Sequence, residues 1–261
     1  MQVLLGDFYS VDGLVKRRIC QIVLPILLLS LASTTSIAQT PLRYNLGTSG
    51  SSIPYENAVD DLRPGIMVEL LPMIMEAAGF KTEKVMLSTK RAMQAFKNGA
   101  LDFDFFSPNW VPPNDINNEF IFTDPIIDVT EYFITLPENE DRFRTRNQIL
   151  KDSVVGTVEG YVYFDADTFT PLAFQSESDL ILALRNQRIE VAIMEEAVAR
   201  YWSAKHGIEI TFGAIHTKGP LALRLHSRHK DKITMLNKVI QKLRAEGKIQ
   251  SILDKYADFS V

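Results

Sequence analysis

The hydrophobic pattern in the first half of the chain changes repeatedly between the period of a strand and that of a helix. Apolar side chains recur every three or four residues from Ile66 to Ala77, which predicts a helix that ends at Gly79. A second helix is expected over 91–98, with Ser88 as its N-cap. Shorter apolar runs around these helices predict strands at 42–48, 82–87 and 101–106.

The same alternation begins again after a long apolar run at 129–136, which predicts a strand that leaves the first unit. Further strands are predicted at 154–158, 172–174, 189–194, 208–212 and 221–225. Helices are predicted between them, over 146–151, 178–186 and 195–205 and near Tyr161. A final amphipathic helix begins near Ile233 and stops at Gly247. This order predicts an α/β protein with two mostly parallel sheets in series and a ligand cleft between them.

The N-terminal segment has the features of a secretory signal. A basic cluster at 16–18 precedes an apolar run over 19–32, and Ser36-Ile37-Ala38 is a small-x-small cleavage pattern. The apolar run is shorter than the roughly 20 residues that a helix needs to cross a bilayer. We therefore predict that residues 1–38 are a signal peptide and that 39–261 form a soluble periplasmic protein.

Cysteine content and charge narrow the function classes. Cys20 is the only cysteine and lies in the predicted signal peptide, so neither a disulfide nor a thiolate-bound zinc ion is expected. Removal of residues 1–38 takes away three basic and two acidic side chains, which changes the formal net charge from −4 to −5. An acidic chain is not expected to bind nucleic acid or an anionic membrane. No cofactor and no metal ion is predicted.

Five segments, by their order and spacing, resemble family 3 of the bacterial extracellular solute-binding proteins. Those that are similar to the first lobe of the family are 65–71 (GIMVELL), 97–102 (KNGALD) and 121–126 (IFTDPI). Those similar to the second lobe and the C-terminal helix are 188–195 (RIEVAIME) and 243–256 (LRAEGKIQSILDKY).

The resemblance implies the type II periplasmic-binding fold, with two α/β lobes that are joined by two hinge strands and close over one ligand. It predicts one lobe from residues 39–132 together with 222–261, and a second lobe from 133–221. The apolar strands at 129–136 and 221–225 are suited to be the hinges. The implied function is capture of a small ligand for the permease of an ABC transporter, by a protein that is usually a monomer.

The family usually binds polar amino acids with an Arg on the ligand carboxylate and an acidic residue on the ammonium group. The stretch that matches the position of this Arg, 107–115, contains no Arg, and its Asp115 would repel a carboxylate. Glu195 stands where the family has its acidic residue. We therefore expect a neutral or cationic ligand.

Nine residues in loops or at strand ends are predicted to contact the ligand. They are Ser52, Tyr55, Arg91, Ser107, Asn109, Trp110, Thr157, Tyr161 and Glu195. Each has a structural alternative, because an acidic residue at a helix start also caps the helix, aromatic residues also pack in the core, and Arg91 also suits a surface salt bridge.

Two other functions would use the same cleft. One is a ligand-sensing module that reports to a membrane receptor, and the other is a dehydratase-like enzyme with Glu195 as general acid or base. The chain contains no Gly-x-Ser-x-Gly, Walker or His-Glu-x-x-His motif, so an enzyme is not predicted. His226 and His229 have the spacing of a metal-binding pair, but they lie in a basic loop where solvent exposure is expected.

Overall fold

Strands and helices alternate along the chain, as the hydrophobic pattern predicts. The computed structural model describes residues 40–46, 52–57, 60, 62–111, 119–149 and 153–260. The predicted signal peptide, the loop at 47–51 and Asp115 lie outside these residues.

Nine strands lie within the described residues. They are β1 (Leu42–Tyr44), β2 (Thr82–Lys84), β3 (Phe103–Phe106), β4 (Phe120–Phe122), β5 (Ile127–Thr135), β6 (Val154–Val158), β7 (Thr170–Phe174), β8 (Val191–Glu195) and β9 (Thr211–His226). The described α-helices are α1 (Ile66–Ala77), α2 (Thr89–Lys97), α3 (Arg146–Ile149), α4 (Glu177–Arg185), α5 (Glu196–His206), α6 (Ile233–Ala245) and α7 (Lys248–Lys255). Short 3-10 helices occur at Pro108–Trp110, Pro137–Arg142, Ser227–Lys232 and Ala257–Ser260.

The strands form a mixed sheet in the order β2-β1-β3-β9-β5-β8-β6-β7, with β4 also paired to β9. The predicted parallel strands form its two ends, because β1 is parallel to β2 and β3 while β6 is parallel to β7 and β8. Antiparallel pairing occurs where β5 and β9 join these ends. Parallel strands that are followed by helices place their carboxyl ends, and the loops after them, along one edge of each end of the sheet.

The strand β9 is longer than the sequence predicts. Strands at 208–212 and 221–225 were expected to be separate, but residues 211–226 form one strand of 16 residues. Gly219 and Pro220 resemble a turn in sequence, yet both remain extended because they pair with β5. The first part of β9 therefore runs beside β5, and its last residues run beside β3 and β4.

One predicted helix is wrong. The segment around Tyr161 forms turns and irregular backbone rather than a helix. Gly160 has a φ of 87°, which does not fit a right-handed helix, and the hydroxyl of Tyr163 accepts a hydrogen bond from the N–H of Val158 at 2.9 Å. The hydrogen bond between Val158 and Tyr163 holds the loop after β6 against the end of that strand.

The C-terminal helices α6 and α7 pack on α1. One face of α1 is buried, with Ile66, Met67, Leu70, Leu71, Ile74 and Met75. The facing side of α6 buries Leu236, Val239, Ile240 and Leu243. The end of the chain therefore contributes to the same core as its beginning.

Gly65 couples α1 to the loop that carries Tyr55. It has a φ of 125°, and a Cβ atom there would lie 2.4 Å from the carbonyl oxygen of Tyr55. Only glycine adopts this backbone conformation and allows this approach without strain. The loop at 52–57 is thereby held at the start of α1.

Tyr256 locks the C-terminus onto the same place. Its side chain is buried, and its hydroxyl accepts a hydrogen bond from the N–H of Gly65 at 2.8 Å and donates one to Glu69. The N-terminal N–H groups of a helix have no partner within the helix, so this hydroxyl satisfies a group that would otherwise be left unpaired.

We predict that Tyr256→Phe lowers the free energy of unfolding by about 1–3 kcal/mol, because it leaves a buried N–H group without an acceptor. Urea unfolding followed by circular dichroism measures this loss. Lys255→Met is the matched control, since Lys255 donates to the same Glu69 at 2.7 Å but is partly exposed, and such pairs contribute about 0–1 kcal/mol. Equal losses in the two variants would contradict the role assigned to the tyrosine hydroxyl.

Candidate functional site

A cavity of about 180 Å³ lies beside β5 and β8, between the loops that follow β1 and β3 and the loops that follow β6 and β7. Its wall contains five carboxylates, those of Glu56, Asp104, Glu131, Glu177 and Glu195. Aromatic and apolar side chains fill the space around them, among them Tyr55, Phe105, Phe106, Trp110, Tyr161 and Tyr163. Among the described residues, no Lys, Arg or His lines this cavity.

The carboxylate of Asp104 is neutralised by Arg224. The guanidinium group donates two hydrogen bonds to it, at 2.9 and 2.5 Å, and lies 3.8 Å from the centre of the Phe106 ring. Burial raises the pKa of Asp104, and the charge of Arg224 opposes this rise. The positive charge of Arg224 is thus paired with a side chain of the protein itself and not with a ligand.

Glu131 has a partner of a different kind, the buried His216 on β9. A shift in the pairing of β5 with β9 makes His216 an extra, bulged residue opposite Glu131 and Tyr132. Its Nδ1 lies 3.2 Å from the carboxylate of Glu131, and its Nε2 lies 2.8 Å from that of Asp165. Burial alone would lower the pKa of His216, but the hydrogen bonds to the two carboxylates raise it.

A carboxylate at each ring nitrogen favours the form of His216 in which both nitrogens donate, which is the imidazolium ion. Arg146 extends the network, because it pairs with Asp165 and donates to the carbonyl oxygen of His216 at 3.1 Å. The hydroxyl of Thr217 also donates to Glu131, at 2.5 Å. The charge of Glu131 is therefore compensated inside the protein.

Among the described residues, the donors to Glu195 are all neutral. It is the N-cap of α5, with one carboxylate oxygen 3.1 Å from the N–H of Val198, and it accepts a hydrogen bond from the hydroxyl of Tyr55. Burial raises the pKa of Glu195 to about 7 in spite of these hydrogen bonds. Within the described part of the chain it forms no ion pair. Its predicted capping and ligand-binding roles are therefore compatible, since the capping carboxylate also lines the cavity.

Glu177 is the second carboxylate with neutral partners. It begins α4 and is 4 % exposed. One of its oxygens accepts hydrogen bonds from the hydroxyl of Tyr161 at 2.6 Å and that of Ser52 at 3.1 Å. These two hydroxyls also lie 2.7 Å apart, so the loop after β1 and the loop after β6 meet at this carboxylate.

Trp110 also lines the cavity, at the end of the short 3-10 helix after β3. Its ring packs edge-on against Phe106, with ring centroids 5.1 Å apart. The indole Nε1 is buried and has no acceptor among the described residues. An aromatic face beside carboxylates is suited to a cation, since the ring and the carboxylates both attract positive charge.

Five of the nine predicted residues line the cavity. They are Ser52, Tyr55, Trp110, Tyr161 and Glu195. The side chain of Arg91 is instead exposed on α2, away from the cavity lining. Phe96, the buried residue of this helix, lies five positions after Arg91, which is about 140° around the helix, so Arg91 is on the solvent side.

The other three predicted residues support the wall from behind. The hydroxyl of Ser107 accepts from the N–H of Asn109 at 3.3 Å and so caps the 3-10 helix. The side-chain amide of Asn109 donates to the carbonyl oxygen of Lys218 on β9 at 2.8 Å. Thr157 is buried within β6. These side chains hold backbone segments that the cavity depends on, but they do not face it.

Four further carboxylates of the wall, those of Glu56, Asp104, Glu131 and Glu177, were missed by the sequence predictions. Glu131 had a signal, because it is the only charged residue in the predicted strand at 129–136. Asp104 had a weaker one, a single acid among apolar residues in β3. Glu177 had none that separates it from an ordinary acidic residue in the first turn of a helix.

No group of three or more His, Cys, Asp or Glu side chains in the described residues is arranged to hold a metal ion. His229 forms a hydrogen bond with Asp102 at 2.6 Å, and neither residue is part of the cavity lining. Of the helices described, none has the length and apolar character needed to cross a membrane.

The family model of the bacterial extracellular solute-binding proteins, family 3, matches residues 44–259. No curated protein sequence matches the chain.

Solved structures with the same fold include transport and binding proteins. A mutant of ArgBP from T. maritima has a TM-score of 0.67 and 17% identity, with 83% of this chain and 95% of that chain covered. The amino acid ABC transporter substrate-binding protein AbpA from Streptococcus pneumoniae, bound to L-arginine, has a TM-score of 0.66 and 19% identity, over 85% and 96% of the two chains. An ancestral amino-acid-binding protein, a precursor of cyclohexadienyl dehydratase, has a TM-score of 0.63 and 15% identity, over 83% and 95%. These likenesses confirm the predicted type II periplasmic-binding fold.

The raised pKa of Glu195 predicts how stability changes with pH in the absence of ligand. The folded protein holds the proton of Glu195 more tightly than the unfolded chain does, so this contribution to stability is complete below pH 4.5 and is lost as the pH rises through 7. As the pH rises between these two values, the free energy of unfolding of Glu195→Gln should therefore increase relative to that of the wild type. This gain is at most about 1.4 kcal/mol per pH unit.

Chemical denaturation at several pH values measures this gain. Glu196→Gln is the control for loss of one charge at the same turn, because Glu196 pairs with Arg200 at 2.8 Å and lies outside the cavity lining. A Glu195→Gln curve that runs parallel to the wild type across this range would contradict the prediction.

Proposed function

Because the chain belongs to the bacterial extracellular solute-binding proteins of family 3, we propose that it captures a small cationic ligand in this cavity. In the periplasm, this protein acts as a monomer and delivers the ligand to the permease of an ABC transporter. The relative from Streptococcus pneumoniae, a substrate-binding protein of such a transporter, supports the choice of a transporter over a membrane sensor.

The observation that carries the proposal is the charge of the wall. Asp104 and Glu131 have cationic partners inside the protein, whereas Glu177 and Glu195 have only hydroxyl and N–H donors in the described residues. A carboxylate buried without a cation is unfavourable by several kcal/mol. A bound ammonium or guanidinium group would supply the missing charge at Glu195 and lie near the face of Trp110, a cation–π contact of about 0.5–2 kcal/mol.

The same wall argues against a complete amino acid as the preferred ligand. L-arginine, which the relative from Streptococcus pneumoniae binds, carries a carboxylate as well as a guanidinium group. In the cavity described here a carboxylate would face acidic side chains, and Arg224 is occupied by Asp104. Agmatine, which is arginine without its carboxylate, therefore fits this cavity better than arginine does.

The proposed lobes are residues 39–132 with 222–261, and residues 133–221. Support comes from β5 and β9, which run between the two ends of the sheet, and from the packing of α6 and α7 on α1. The cavity is lined from both sides of this boundary, by Tyr55 and Trp110 on one side and Glu177 and Glu195 on the other. Hinge motion at β5 and β9 would open and close it.

Binding without a chemical step is part of the proposal. A raised pKa at Glu195 is also a property of a general acid, and one structural relative is a precursor of a dehydratase. A carboxylic acid substrate, however, would meet the same five carboxylates as an amino acid would. The charge of the cavity therefore favours capture of a cation over dehydration of an acid.

We predict that the exported protein begins at Gln39. Residues 1–38 combine a basic cluster, a short apolar run and a small-x-small pattern, which together are typical of a cleaved signal. Intact-mass measurement of protein from the periplasm of an expressing bacterium gives the mature N-terminus. Recovery of a soluble periplasmic form that keeps residues 1–38 would overturn the cleavage site.

We predict that Glu195→Gln weakens the binding of agmatine at least tenfold, about 1.4 kcal/mol, because the amide cannot neutralise the ligand cation. Isothermal titration calorimetry at pH 8, where Glu195 is mostly ionised by its pKa of about 7, measures the affinity. For the wild type, affinity should fall by up to about tenfold per pH unit as the pH decreases below 7.

The matched control is Glu196→Gln, which removes one charge beside Glu195 without changing the cavity lining. Its affinity for agmatine should equal that of the wild type. Tighter binding of arginine or of an anionic dicarboxylate than of agmatine would show that the cavity prefers anionic groups, and would refute the proposed ligand class.

A further inference from the structure

Glu177 has a feature that the binding of one cation at Glu195 does not explain. Its second carboxylate oxygen, Oε2, is fully buried in the lining of the cavity and has no hydrogen-bond donor among the described residues. The other oxygen, Oε1, is fixed by two hydroxyl groups, those of Ser52 and Tyr161. The carboxylate is therefore held in one orientation, with one oxygen still lacking a donor.

Buried polar atoms nearly always have a hydrogen-bond partner, and a buried charged oxygen without one is unusual. The side chains that hold Glu177 cannot supply the missing charge, because both are neutral hydroxyl donors. The first turn of α4 contains no basic residue either. An occupant of the cavity can supply a cationic donor for Oε2, since Glu177 lies in the cavity lining.

Glu177 and Glu195 are separated by the width of two strands. Glu195 ends β8, and Glu177 begins the helix after β7, while β6 lies between these two strands. Neighbouring strands are about 4.8 Å apart, which puts the backbones that carry the two carboxylates on the order of 10 Å apart. The two acids therefore enter the lining of the cavity from different strands of the sheet.

We propose that Glu177 forms a second cation subsite, and that the ligand carries two cationic groups joined by a short apolar chain, with no carboxylate. This inference rests on the proposed function, since it assumes that the first cation pairs with Glu195. Ser52 and Tyr161 are positioning residues, which orient Glu177 toward the second cation. The apolar and aromatic side chains between the two acids contact the connecting chain.

The test compares diamines with monoamines of the same chain length. Putrescine and cadaverine are titrated into the mature protein by calorimetry, alongside butylamine and pentylamine, which lack the second ammonium group. The wild type should bind each diamine at least tenfold more tightly than its monoamine, which corresponds to about 1.4 kcal/mol. Lysine, which is cadaverine with a carboxylate, should bind more weakly than cadaverine.

Glu177→Gln should reduce the advantage of each diamine over its monoamine, while Glu195→Gln should weaken the binding of both. Asp179→Asn is the matched control, because Asp179 is exposed in the same first turn of α4 and bonds only to Ser176 in the described residues. The comparison within the wild type does not depend on any variant, so it stands even if Glu177→Gln fails to fold.

Two results overturn the inference and separate it from the proposed function. Equal affinities for diamines and monoamines in the wild type, with weaker binding in Glu195→Gln, remove the second subsite and leave the cation-binding function in place. Failure of the wild type to bind any of these amines, with binding of an anionic compound instead, removes both.

Discussion

Carboxylates in an apolar wall are the constraint on which this site depends. Each buried charge must find a partner or remain unfavourable by several kcal/mol. The chain provides cations for two of the wall carboxylates, Arg224 for Asp104 and His216 for Glu131. Among the residues that the structure describes, it provides only neutral donors for Glu177 and Glu195. These two carboxylates, which lack a cationic partner among the described residues, distinguish the proposed binding site from the rest of the core.

The sheet topology explains why these groups meet. The segments from 40 to 106 and from 153 to 206 each form parallel strands with helices between them, so their loops gather at strand ends. The antiparallel strands β5 and β9 link the two groups of strands and carry Glu131, His216 and Arg224. The bulge at His216 turns one residue of a connecting strand into the counter-ion of the wall. The connection between the two ends of the sheet is therefore part of the site.

The sequence predicts the elements well where one periodicity dominates. The helices α1 and α6 and the strand β6 follow directly from apolar spacing, and Gly79 and Gly247 mark the ends of the two helices. It predicts β9 poorly, because Gly219 and Pro220 indicate a turn and only pairing with β5 keeps them extended. Tertiary pairing of this kind has no signature in the local pattern.

The same limit applies to the candidate site. Glu195 and Trp110 could be selected from the sequence because they occupy positions that the family resemblance assigns to the cleft. Arg91 was selected as the one nearby cation, yet the buried face of its helix is occupied by apolar residues and its side chain faces solvent. Glu177 could not be distinguished from a helix-capping acid, since its meaning depends on Ser52, which is distant in sequence and adjacent in space.

The pair between Asp104 and Arg224 has a consequence for how the specificity of such a cavity evolves. The guanidinium group lies directly behind the wall, stacked on Phe106, and its charge is cancelled by a single side chain that faces the cavity. Loss of that one acidic group would leave a fixed positive charge in place, already packed and oriented. An anion-selective cavity can thus evolve from a cation-selective one by the loss of a single acidic side chain, without the gain of a basic residue.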